Sequence, residues 1–212
     1  QLPVTVLFAD TCNFTTVSEQ LEPANLLAWL NRGMACCVPA ITSRGGMVNK
    51  FTGDGFLGVF GAPISPGSSL DARACIATVL EIQQSIGELN LTLQREGQPL
   101  MRLRIGVHSG PVLAGSMGSS ERLEYAVIGD TVNCASRLES LDKQHHDGVV
   151  RVLVSSATRA LLAQDASPDE QLWCERLQWQ AWGTLPVKGR REPLEIWELR
   201  GIAPAAAAAS PG

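Results

Sequence analysis

Aromatic side chains are scarce: 5% of 212 residues, with a single tyrosine. No apolar run approaches the roughly 18 to 20 residues that a membrane-spanning helix needs, so the chain itself is not expected to cross a bilayer. A surplus of positive charge is also lacking. Lys and Arg number 17 against 21 Asp and Glu, for a net charge of −4, which excludes the broadly basic surface of a nonspecific nucleic-acid binder. Six cysteines are present, but without CxxC pairs or zinc-ligand intervals. A disulfide framework and a structural zinc site are therefore excluded, and the thiols are expected to be reduced, as in a cytosolic protein. The opening Gln1-Leu2-Pro3 is not a secretion signal. With no initiator Met and a strand-like run at once, the chain reads as a segment of a longer protein, with any regulatory domain outside it. The stretch Gly115 to Ser120 is glycine- and serine-rich but lacks the Lys of a Walker loop, so a hairpin loop is expected there.

What is present is an ordinary globular mixture, 45% hydrophobic and 18% charged, far from the profile of a disordered chain. Val4 to Ala9 is a continuous apolar run suited to a buried strand. From Pro23, the residues Leu26, Leu27, Leu30, Met34, Val38 and Ile41 recur at helical spacing until Gly45-Gly46. Met47 to Thr52 and Phe56 to Phe60 flank Gly53-Asp54-Gly55, a hairpin signature with Asp54 at the tip. A helix capped by Ser69 or Asp71 is expected through Ile86, strands at Met101 to His108, Val112 to Ser116 and Tyr125 to Ile128, and a helix over Asp130 to Leu141. Short strands with one helix near Ser155 to Leu162 complete the chain. The order β α β β α β predicts an α+β fold of the ferredoxin-like, split βαβ type: an antiparallel-rich sheet with helices on one side, plus a C-terminal α/β extension. Residues 1–200 are expected to form one catalytic domain, and 201–212, rich in Ala and Pro, a tail or linker remnant.

Two carboxylates, Asp10 and Asp54, each end an apolar strand instead of lying on a solvated helix face. In a split βαβ sheet they converge at one edge. Paired carboxylates holding two Mg²⁺ ions roughly 3.5 to 4 Å apart are a recurring solution to phosphoryl chemistry; the alternative is a turn cap and the Asp of an Asp-Gly hairpin. Further along, Asn133 and Arg137 stand four apart, on one face of the expected helix. An amide and a guanidinium there could bind a sugar oxygen and a phosphate gaining charge. The alternative is an exposed helix with Arg137 paired to Glu139 or Glu124.

The segments Phe8-Ala9-Asp10-Thr11-Cys12-Asn13-Phe14-Thr15, Lys50-Phe51-Thr52-Gly53-Asp54, Gly129-Asp130-Thr131-Val132-Asn133-Cys134-Ala135-Ser136-Arg137 and Val187-Lys188-Gly189 together resemble the catalytic domain of class III nucleotidyl cyclases. The resemblance implies conversion of a nucleoside triphosphate to the 3′,5′-cyclic monophosphate and pyrophosphate, with Mg²⁺ or Mn²⁺, two ions per site, in a homodimer whose sites lie across the interface. Asp10 and Asp54 resemble the metal-binding aspartates, with the Thr11 backbone and the stretch through Phe14 and Thr15 helping to hold metal and phosphates. Arg104 resembles the arginine that touches the terminal phosphates. From the partner subunit Asn133 would orient the ribose, Arg137 would stabilise the transferring phosphate, and Lys188 would grip the triphosphate.

In the same family Lys50 and Ala126 occupy the base-reading positions. An ammonium can donate to adenine N1, whereas guanine presents an N1–H there, so Lys50 points to ATP. Ala126 departs from the usual Asp, Thr or Ser and offers the amino group no acceptor, weakening discrimination by about 1–3 kcal/mol unless backbone or water replaces the bond. The expectation is a cytosolic adenylate cyclase domain; the rivals are a guanylate cyclase and, of a different class, a noncatalytic nucleotide-binding regulatory domain. His145-His146-Asp147 is expected to be a solvated loop, His108-Ser109 has no nucleophile geometry in its sequence context, and Trp173, Trp179, Trp182 and Trp197 are expected to pack a sheet.

Overall fold

Residues 1–143, 148–186 and 193–205 are described by the computed structural model. The most apolar runs take the middle of the sheet, because only there are both strand faces covered. β1 (Leu2–Thr11) lies between β3 (Phe56–Phe60), all five of whose residues are buried, and β4 (Leu103–Ser119), antiparallel to both. Outside β3 runs β2 (Met47–Phe51), completing the expected hairpin. β4 also pairs in parallel with β6 (Val150–Ser155), which leads to β8 (Leu194–Ile202) and then β7 (Leu177–Leu185). The order is β2-β3-β1-β4-β6-β8-β7, and β5 (Arg122–Ile128) pairs with the far half of β4 as an arm off this path.

Helices α2 (Pro23–Thr42) and α3 (Ser68–Arg95) cover one face, where Leu7, Ala9, Ile105 and Val107 pack with Trp29, Ile76, Val79 and Ile82. Residues of alternate parity in β1, Val4 and Val6, point to the other face and pack with Leu57, Val59, Val112 and Ala135. Ala135 belongs to α4 (Asp130–Ser140). Helices on one side therefore describes α2 and α3 but not α4, which lies across the opposite face. Gly106 permits this: a Cβ there would stand 2.1 Å from the Ala135 carbonyl oxygen and 2.4 Å from the Glu139 nitrogen.

Other expectations are corrected in detail. The two strands expected between Met101 and Ser116 are one 17-residue strand, β4, because Ser109 to Pro111 continues the pairing with β1 across the polar interruption. Gly115 to Ser119 is therefore strand, with the turn beyond it. α3 begins at Ser68 after Gly67, and Asp71 accepts from Ser65 instead of capping. Two short helices were not expected: α1 (Phe14–Gln20) and α6 (Pro168–Glu175), the latter closed by a Ser167/Glu170 capping box and following α5 (Ser156–Leu162). All six cysteines are free. Of the C-terminal tryptophans, Trp197 and Trp179 lie 3.8 and 5.6 Å from the Arg159 guanidinium, and Trp182 lies 5.4 Å from that of Arg151.

Candidate active site

Two adjacent strand ends bring the first pair of acids together. Asp10 is next to last in β1, and Asp54 sits in the turn between β2 and β3, which the Thr52 N–H closes on the Gly55 carbonyl at 2.9 Å. The turn can press against β1 because residue 55 has no side chain; a Cβ would stand 2.2 Å from the Ala9 carbonyl oxygen. Thr11 Oγ1 then donates to the Asp54 carbonyl at 2.6 Å, so buried Thr11 is a brace between the two acid-bearing segments.

Proximity has an electrostatic consequence. Burial raises the Asp54 pKa first, and the neighbouring negative charge of Asp10 raises it further. A cation beside Asp54 would offset both the burial and the Asp10 charge that oppose its ionisation. Hard oxygen donors of this kind fit Mg²⁺ or Mn²⁺, and Mg²⁺ usually takes one or two carboxylates with water and substrate phosphates in its remaining positions. No group of three or more His, Cys, Asp or Glu side chains able to hold a metal occurs among the described residues, so substrate and solvent would supply much of the coordination.

Past Thr11 the chain turns through Asn13 in the left-handed region, φ 55°, and enters α1 at Phe14 and Thr15. Val17 is buried and Phe14 packs beside it, pinning this first turn to the core, while Thr15 is exposed.

Arg104 faces Asp10 directly across the β1–β4 ladder. Its Nη2 donates to Asp10 Oδ2 at 2.9 Å and its Nε to Glu139 Oε1 at 2.8 Å. Burial weakens the arginine's hold on its proton, but the Glu139 bond and the charges of Glu139 and Asp10 outweigh this and its pKa is raised. Burial also raises the Glu139 carboxyl, against the lowering effect of the Arg104 bond. The terminal-phosphate arginine of the sequence reading is thus a buried link between Asp10 and α4.

Asn133 and Arg137 are exposed side by side on α4, and neither side chain makes a hydrogen bond to another described residue. The alternative pairings of Arg137 are not formed, since Glu139 binds Arg104 and Glu124 binds Arg122. α4 is fixed at both ends. Thr131 Oγ1 donates to the Pro111 carbonyl at 2.7 Å, and the Arg151 guanidinium reaches the carbonyls of Glu139, Leu141 and Asp142 at 3.0, 2.5 and 2.6 Å, where the helix leaves carbonyls unpaired. Neither Glu139 nor Arg151 was singled out from the sequence for these roles. Their signal, a charged residue at a position otherwise read as core, is visible only once the strand faces are known.

Lys50 and Ala126 meet in one protomer. Both line a cavity of about 330 Å³ with Met47, Asn49, Met117 and Glu124. Asn49 Nδ2 donates to the Tyr125 carbonyl at 2.7 Å, bracing β2 against β5 across its mouth. The other candidates fare differently. Lys188 and His145-His146-Asp147 lie outside the described residues. His108 is buried, with Nδ1 2.8 Å from Ser155 Oγ, while Ser109 Oγ bonds Thr5 and Thr158, so this pair is a core polar network and not an exposed nucleophile.

An antiparallel-rich sheet with an acid pair at adjacent strand ends, a cavity of about 330 Å³ lined by β2 and β5, and an exposed Asn/Arg pair on the opposite-face helix is the arrangement of a class III cyclase type of fold. The sequence matches the family model of the adenylate and guanylate cyclase catalytic domain over residues 2–201, and the chain belongs to that family. It is 30% identical over 199 residues to Adenylate cyclase 1 of Rhizobium meliloti (strain 1021), covering 94% of this chain and 28% of that protein. To the adenylate cyclase of Anabaena cylindrica it is 30% identical over 207 residues, covering 93% and 36%. The chain thus spans about a third or less of these relatives. Among solved structures it resembles the adenylyl cyclase CyaB from P. aeruginosa, with TM-score 0.81, 27% identity and 97% of each chain covered. It also resembles the guanylyl cyclase Cya2, with TM-score 0.79, 32% identity, and 95% and 93% covered.

Proposed function

We propose that residues 1–200 form an adenylate cyclase catalytic domain that converts ATP to 3′,5′-cyclic AMP and pyrophosphate in a homodimer, each site assembled from both protomers. The supporting observation is directional. On a helix turning 100° per residue, Arg137 stands about 200° round the axis from Glu139. Glu139 is the α4 residue that reaches Arg104 and Asp10. Asn133 and Arg137 therefore project away from their own protomer's acid pair, and a second copy is the natural source of an Asn/Arg pair to complete it.

Asp10 and Asp54 would hold Mg²⁺ or Mn²⁺, two ions per site; these would make the ribose 3′-hydroxyl a better nucleophile and offset triphosphate charge. The partner's α4 supplies the rest. Its Asn133 orients the ribose, and its Arg137 takes up charge growing on the α-phosphate as the 3′-oxygen attacks in line with the departing pyrophosphate. Lys188 from the same protomer and Arg104 from the acid-bearing one would hold the terminal phosphates, with the turn at Thr11, Phe14 and Thr15 beside them. Arg104 has Nη1 left over for a phosphate after its bonds to Glu139 and Asp10.

In the base cavity the Lys50 ammonium donates to adenine N1, and the small Ala126 leaves the amino group to backbone or water. The likeness to the guanylyl cyclase Cya2 favours GTP as the second reading. Turnover of ATP and GTP, measured side by side with Mg²⁺ and Mn²⁺ over a range of protein concentrations, tests base choice and dimer dependence together. A preference for GTP would overturn the role given to Lys50, and no product with either nucleotide would leave a noncatalytic regulatory domain. No helix among the described residues is long and apolar enough to cross a membrane. We place the domain in the cytosol, where its substrate is found, within a longer protein carrying a regulatory domain, as the greater length of the relatives suggests.

A further inference from the structure

Arg104 is a cation already seated on a proposed metal ligand. Its side chain is 7% exposed, that of Glu139 5% and that of Asp10 23%, so all three interact in a largely dehydrated setting. The guanidinium edge carrying Nε and Nη2 is the edge that closes on one carboxylate with two parallel bonds. Here that edge is divided: Nε goes to Glu139 and Nη2 to Asp10. Glu139 is itself anchored, because Arg151, which faces Arg104 across the β4–β6 pairing, donates to its backbone carbonyl at 3.0 Å.

Resting on the cyclase reading, we propose that Glu139 is a positioning residue that restrains Arg104 and so keeps Asp10 available to a divalent cation. Without the Glu139 charge the whole edge is free to turn onto Asp10, engage both its oxygens and compete with the metal. With Glu139 in place one Asp10 oxygen stays outside the guanidinium's grip, and Arg104 has a second carboxylate to hold when the incoming cation displaces it. The same bond ties the acid pair to the helix that bears Asn133 and Arg137, so one buried carboxylate sets the geometry of residues that serve two different sites of the dimer.

The test is Mn²⁺ binding without nucleotide, read from the electron paramagnetic resonance signal of free Mn²⁺, on the full chain as wild type, Glu139→Gln and the double variant Arg104→Met/Glu139→Gln. Glutamine preserves shape and an acceptor but removes the charge. Glu139→Gln should bind Mn²⁺ on the order of three- to tenfold more weakly than the wild type, as expected for one unscreened charge shifting toward the ligand. The double variant, freed of the competing cation and of a buried unpaired acid, should bind more tightly than the wild type. Unchanged binding in Glu139→Gln, or a double variant no tighter than the wild type, would overturn the proposal while leaving the metal site intact. Wild-type protein that bound no Mn²⁺ would remove the metal-site reading and this proposal together. Should Glu139→Gln fail to fold, the double variant carries the comparison alone.

Discussion

Asp54 is held where its charge is unwelcome. Its folded carboxyl titrates above the ordinary value, because burial and then Asp10 oppose ionisation. The native state therefore binds this proton more tightly than the unfolded chain does, and stability falls as pH rises from the unfolded value through the raised one. Asp54→Asn should raise the melting temperature at pH 7 by about 2–4 °C, with the gain shrinking toward pH 4, and should abolish cyclic-nucleotide formation. Mn²⁺ should raise the melting temperature of the wild type but not of the variant. A variant no more stable at pH 7, or one still making product, would break the assignment. At the base cavity, Ala126→Thr restores an acceptor and should raise the ATP-over-GTP ratio of kcat/KM about tenfold; an unchanged ratio would mean that position 126 does not meet the base. The placement of Asp10 and Asp54 at neighbouring strand ends, and of Asn133 and Arg137 on one helix face, was legible because apolar runs, a Gly-Asp-Gly turn and helical spacing mark those positions. Glu139 was not, since its role depends on which way α4 faces and which residue β4 sets beneath it.

At the scale of elements, the placement of α4 depends on an absence. Gly106 lies under the helix where a methyl would meet the Ala135 oxygen and the Glu139 nitrogen, both backbone atoms that no rotamer change can move. Gly106→Ala should lift α4 from the sheet, destabilise the domain by on the order of 2 kcal/mol and lower turnover by displacing Asn133 and Arg137. Gly87 in α3 is the matched control, because a Cβ there meets nothing within 4 Å; Gly87→Ala should stabilise by about 0.5–1 kcal/mol. Denaturant melts of both variants decide the matter, and a Gly106→Ala protein as stable as the wild type would show that α4 does not sit as described. Hydrophobic period marked α2 and α3 in the sequence because each buries one face, and two apolar runs flanking Gly53-Asp54-Gly55 marked the β2–β3 hairpin. It did not mark α6, whose Ser167/Glu170 box was present as Ser-Pro-Asp-Glu but whose eight residues bury no side chain fully. Nor did it show that α4 crosses the second face, since amphipathicity says that a helix has an inner side, not which side of the sheet receives it.

For the whole molecule, the proposed reading turns on one chain carrying both the acid pair and the Asn133/Arg137 pair and presenting them in different directions. The β4–β5 arm leaves Leu113, Met117, Leu123 and Ile128 exposed, each by more than half, with Phe51 exposed as well. Apolar surface of this extent on a hairpin suits contact with another protein, and a two-fold pairing of identical chains is the commonest way to cover it. In such a dimer, Asp54→Asn disables the acid half of each site and Arg137→Ala the helix half, so either homodimer is inactive. Mixed one to one and allowed to exchange, the two inactive proteins should form heterodimers in half of the pairs. Each heterodimer has one site built from the intact acids of the Arg137→Ala chain and the intact helix of the Asp54→Asn chain. Activity should return to about a quarter of the wild-type value per chain and fall on dilution as pairs separate. A mixture as inactive as its components, under conditions where exchange is verified by differently tagged chains, would mean that the site is completed within a single protomer. That outcome would require α4 to roll far enough to break the Arg104 to Glu139 bond, and loss of that bond would then be the step to look for.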